Sequence, residues 1–81
     1  MNNTTFDRYA EQPPSRWIGH LWLSTSKDGD GFYLRGQILD VAPGRVKVRW
    51  RRRRPGADEW VRTDCGTLAR SIVKDFVEGD T

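Results

Sequence analysis

The sequence predicts an α+β fold: a strongly curled four-stranded antiparallel sheet, or a small barrel, packed by a C-terminal amphipathic helix. Three observations lead there. Alternating apolar and polar runs recur at 16–25, 32–41, 45–53 and 59–63, separated by turns rich in Gly and Pro. Leu68, Ala69, Ile72, Val73, Phe76 and Val77 fall within about 180° on a helical wheel. The chain has 81 residues, 36% of them apolar, which bounds it to one domain with a compact core.

Residues 1–15 are polar and end in Pro13-Pro14, and are read as an N-terminal arm ahead of a single domain over 16–81. Phe6, Tyr9 and Ala10 sit at i, i+3 and i+4, so a short helix over about 5–11 competes with a mobile arm. Arg16 to Thr25 reads as the first strand. Trp17, Leu21 and Leu23 face one way, and Ile18, His20 and Trp22 the other, as in a strand covered on both sides. Ser26 to Gly31 is a turn cluster whose two glycines supply positive φ. Its Asp-Gly-Asp-Gly run lacks the distal Glu of a calcium loop, so a plain turn is expected.

Phe32 to Val41 is the second strand, and Ala42-Pro43-Gly44-Arg45 fits a type II turn. Arg45 to about Arg53 is the third strand. Arg54 to Asp58 is a loop, and Glu59 to Thr63 a short fourth strand. In the final helix, Asp64 or Thr67 is placed to cap the N-terminus and Gly79 the C-terminus. Trp17 and Trp60 are expected to be buried, and Trp22 and Trp50 exposed.

Charge is polarised along the chain. The net charge is +3, and eight of the fourteen cations lie between residues 45 and 62. Asp75, Glu78 and Asp80 make the C-terminus acidic. In an extended strand Arg45, Lys47, Arg49, Arg51 and Arg53 share one face, at about 6.7 Å intervals, with Val46, Val48 and Trp50 on the other. Such a row repels itself unless anions lie nearby. Nucleic acid presents charges at comparable spacing, and the Arg fork suits phosphate. Tyr33 and Trp50 nearby are candidates to stack on bases. The same row also fits a solvated face that keeps a small protein soluble, or a surface that docks an acidic protein.

The stretch from 32 to 78 resembles a chromodomain, and more widely an SH3-like small β-barrel with a C-terminal helix. The residues that carry the likeness are Phe32 to Asp40 (an aromatic, alternating aliphatics and a closing Asp), Val46-Lys47-Val48-Arg49-Trp50, Asp58-Glu59-Trp60-Val61, and the apolar spacing of Leu68 to Val77. The resemblance implies two walls of a methyl-lysine cage at Tyr33 and Trp50. Arg53 stands where a third wall would be, and Val61 where the family has Glu, so the implied ligand turns from a cation towards an anion. The first strand, 16–25, fills the slot that a bound peptide takes in chromodomains.

Little supports catalysis, and the chain is read as a binding module, not an enzyme. His20 is the single histidine, which excludes a metal site built on several of them, and no glycine loop cradles a nucleotide. Cys65 is read as a small core residue, and its being the only cysteine excludes an internal disulfide. No catalytic residue, metal or cofactor is assigned. The candidate site is Tyr33, Arg35, Arg45, Lys47, Arg49, Trp50, Arg51 and Arg53. Its expected partner is nucleic acid, DNA or RNA; the alternative is an acidic protein surface, and a homodimer joining the basic strand to the acidic tail is a third reading. No apolar run reaches the roughly 20 residues of a membrane span, and no hydrophobic signal region opens the chain, so a cytoplasmic location is expected, or a nucleoid or nuclear one if DNA is bound.

Overall fold

The computed structural model describes residues 4–25, 27 and 29–79. Ser26 and Asp28 of the first turn cluster, and Asp80 of the acidic tail, lie outside the described residues. The architecture is a five-stranded antiparallel sheet, not the expected four, made of β1 (Leu21–Thr25), β2 (Tyr33–Ala42), β3 (Arg45–Arg53), β4 (Val61–Ala69) and β5 (Val77–Glu78). The strands lie in the order β4-β3-β2-β1-β5. The sheet is open, with β4 and β5 at its two edges.

The first strand begins later than the alternation suggests. Pro14–Trp17 forms a 3₁₀ turn, and pairing starts only at Leu21. Pro13 and Pro14 have no N–H to give a ladder and a fixed φ, which suits a turn start. The N–H of Gly19 still reaches the Ile38 carbonyl at 2.9 Å, tying this turn to β2. Ahead of it, α1 (Thr4–Tyr9) is a short helix. Phe6 packs against the core and Tyr9 is buried in it.

β2 and β3 form a long hairpin closed by Pro43-Gly44, with Gly44 at φ 79° as a type II turn requires. Two irregularities interrupt the ladders. The β2–β3 register shifts between Ile38 and Asp40, which leaves Leu39 as an extra residue in β2. The β3–β4 register runs from Arg49↔Cys65 to Arg51↔Arg62, which leaves an extra residue in β4 opposite Trp50. Both are β-bulges, which sharpen the local twist. Neither lies in β3, so side chains alternate along β3 without interruption.

The expected C-terminal α-helix does not form. Asp64, Thr67, Leu68 and Ala69 belong to β4, which runs nine residues from Val61 instead of stopping near Thr63. Arg70–Asp75 is a 3₁₀ helix, and Val77 and Glu78 pair with β1. The free edge of β3 offers ladder hydrogen bonds as far as Arg45↔Ala69, and β-branched residues such as Thr67, Ile72, Val73 and Val77 weaken helix propensity. A 3₁₀ turn aligns residues three apart, so Val73 and Phe76 still reach the core together. Gly79 does not serve as a left-handed cap, because its φ is not positive. It is glycine for another reason: a Cβ there would collide with the Trp22 indole.

The core sits on one face of the sheet. Leu21, Ile38, Val46 and Val48 point into it and are fully buried, and Tyr9, Trp17, Val73 and Phe76 cover them. Trp50 lies on this face, half-buried, with its ring over two glycines of neighbouring strands. A Cβ on Gly36 would stand 2.7 Å from Val48 Cγ1 and 2.8 Å from Trp50 Cζ3, so the indole fills space that a side chain would need. The layer is tied down by Glu78. Its carboxylate accepts the Tyr9 hydroxyl and an Arg8 N–H, both at 2.9 Å. That hydrogen bond, with desolvation and the Glu78 charge, holds the Tyr9 phenol above its usual pKa, against the opposing pull of Arg8 and Arg16. Trp17 is buried as expected, but Trp22, at 5% exposure, is buried too, while Trp60 is only half-buried. Cys65 is exposed, not a core residue.

Candidate functional site

The other face of the sheet carries the arginines. Residues opposite each other in a ladder share a face. The registers therefore place Trp22 and Ser24 of β1, Tyr33, Arg35 and Gln37 of β2, the odd-numbered residues of β3, and Arg62, Cys65 and Thr67 of β4 on one side. Tyr33, Arg35, Arg45, Lys47, Arg49, Arg51 and Arg53 of the expected site come together here. Trp50 does not join them, since it faces the core.

The register adds a feature that a single strand hides. Arg51 has Arg35 opposite it on β2 and Arg62 opposite it on β4. Three arginines thus form a row across three strands, spaced about 4.8 Å apart at the backbone. This row crosses the Arg49–Arg51–Arg53 row along β3. Like charges placed directly opposite are destabilising. Among the described residues, no carboxylate lies within ion-pair distance of Arg49, Arg51, Arg53 or Arg62. Asp40 opposes Lys47, but its Oδ1 accepts the Val41 N–H at 2.8 Å. The Nε of Arg49 is buried without a hydrogen-bond partner among the described residues.

Aromatic rings hold part of this cluster. The Arg35 guanidinium lies 4.2 Å from the Trp22 ring centre and 4.7 Å from that of Trp60. The Arg53 guanidinium lies 4.9 Å from Tyr33 and 5.2 Å from Trp60. Trp60 serves both. The loop before β4 delivers it, turning at Pro55-Gly56 and closed by an Ala57 N–H to Arg54 carbonyl bond of 2.9 Å. Arg53 Nη1 also donates to the Ala57 carbonyl at 2.6 Å, which straps the loop to β3. Each ring attracts a cation through its quadrupole and helps hold the guanidinium in place.

Sequence reasoning missed Trp22, Trp60 and Arg62 as members of this site. Trp22 was legible in part, because it alternates out of phase with Leu21 and Leu23. The partnership of Trp60 with Arg35 and Arg53 depends on a loop path that no periodicity encodes. Arg62 needed the β3–β4 register, which the bulge shifts by one residue.

The opposite face differs at its far end, where an open cleft of about 350 Å³ is lined by Phe32, Arg52, Arg54, Ala57, Glu59 and Val61. Its cations are partly answered there. Arg52 pairs with Asp30 at 3.5 Å and stacks on Phe32 at 4.2 Å, and Glu59 lines the same cleft. No helix among the described residues is long and apolar enough to cross a membrane. No family model, curated protein or solved structure matches the chain. The fold itself is a small, open, mainly β domain.

Proposed function

We propose that the chain is a small nucleic-acid-binding module, of the broad SH3-like and chromodomain-like kind, that engages its ligand through the arginine face of the sheet. The observation that carries this reading is the cross of arginines centred on Arg51, with no carboxylate of the described residues paired to its β3 and β4 members. Folding alone gives no reason to set like charges opposite one another on three adjacent strands. A polyanion does, because its phosphates neutralise Arg49, Arg51, Arg53 and Arg62, with which no carboxylate of the described residues pairs. The cage of the resembling family plays no part, since Trp50 faces the core and arginines occupy the open side. Binding, not catalysis, is the proposed activity.

The test is fluorescence anisotropy of labelled duplex DNA against the whole chain at 50 and 200 mM salt. With about four phosphate contacts, affinity is expected to fall by roughly 10²-fold across that range. Arg51→Gln is expected to lower the salt slope by about one. Absent or salt-insensitive binding to DNA and RNA would overturn the reading. A partner that stays bound after nuclease treatment of a native lysate would redirect it to an acidic protein surface.

A further inference from the structure

We infer that the arginine face reads the sugar-phosphate backbone and not the bases, with its aromatic rings acting as platforms for arginines. This rests on the proposed nucleic-acid reading and specifies the ligand's chemistry. Proteins that hold single strands by stacking present open aromatic faces to successive bases. Here each of the three rings on the site face is already engaged by a guanidinium: Trp22 by Arg35, Trp60 by Arg35 and Arg53, and Tyr33 by Arg53. Trp22 is 5% exposed, and Gly79 lies against its indole, so no base reaches it. Trp60 and Tyr33 are both half-buried.

A guanidinium held over a ring is fixed beside its strand, and an arginine so placed suits phosphate oxygens better than a base. Fixing it in advance also removes rotamer freedom that binding would otherwise cost. Arg49, Arg51 and Arg62, over which no ring of the described residues lies, stand beside this pair on the same face of β3 and β4. Trp60 is a positioning residue in this scheme and touches no base.

The experiment compares three probes on the whole chain at one salt concentration. They are a strand of about 16 thymidines, an abasic deoxyribose-phosphate strand of equal length, and a duplex of equal length. The two single strands are expected to bind within about twofold of each other, and the duplex more tightly because of its higher charge density. Trp60→Ala is expected to weaken all three by the same factor, with Trp60→Phe restoring them, and circular dichroism confirms that both variants fold. If the thymidine strand binds about tenfold or more tightly than the abasic one, or Trp60→Ala weakens only the thymidine strand, bases are being stacked. The backbone inference then falls while nucleic-acid binding stands. If none of the three binds, the nucleic-acid reading falls and takes the inference with it.

Discussion

The two faces of one sheet follow opposite rules. On the core face, β3 contributes Val46 and Val48, fully buried and packed under Val73 and Phe76. On the other face the same strand contributes Arg45, Lys47, Arg49, Arg51 and Arg53, with further arginines opposite Arg51 on both neighbours. The first set lowers the free energy of the folded chain by removing apolar area from water. The second works against folding where like charges stand directly opposite, and the rings over Arg35 and Arg53 offset part of that. A domain of this size has little stability to spare, so the balance between the two faces is open to measurement.

The comparison is most easily broken at Phe76. Phe76→Ala removes the largest fully buried side chain and is expected to destabilise by about 3–5 kcal/mol, enough to unfold much of the population. Urea denaturation followed by tryptophan fluorescence reads this directly, and a loss under 1 kcal/mol would show that the core is not where stability resides. A smaller effect of opposite sign is expected on the other face. Arg51→Gln combined with Arg62→Gln removes a cross-strand like-charge pair and should stabilise by roughly 0.2–1 kcal/mol at low salt. Added salt should erase the gain. Destabilisation by the double variant would mean that those arginines serve the fold.

The smallest expected effect tests how α1 is held to the core. Tyr9 has its pKa raised above 10.0 in the folded state by its bond to Glu78. Its contribution is whole below the unfolded value and is lost as pH rises through the folded one. Stability should therefore decline above pH 10 in the native chain, and less steeply in Tyr9→Phe. Parallel profiles from denaturation at pH 9 to 11 would show that the hydroxyl is not coupled to folding.

What was legible in the sequence follows the range of the information. The hairpin of β2 and β3 was readable because alternation and the Pro43-Gly44 turn are local. So was the common face of the β3 cations, since a bulge in β3 itself would have been needed to spoil it. The segment from 64 to 77 has apolar spacing that suits an α-helix, and what decides its structure is the free edge of β3 up to Arg45. Trp22 was misjudged for a similar reason: its burial comes from Arg35 and Gly79, one on a neighbouring strand and the other 57 positions further along the chain. The row Arg35–Arg51–Arg62 exists only as a register, and a register belongs to three strands at once.

The extra residue in β4 has a consequence for assembly. β4 is an edge strand of nine residues, and its outer side exposes amides and carbonyls that another chain can pair with. A flat edge of that length would template open-ended growth into fibres. The bulge opposite Trp50 divides it, leaving Cys65–Ala69 as its longest regular run of pairing, and Arg62 and Asp64 put charges of both signs beside the break. An incoming strand would lose its register after a few bonds. The irregularity that brings Arg62 opposite Arg51 also shortens the regular run that this edge offers for pairing.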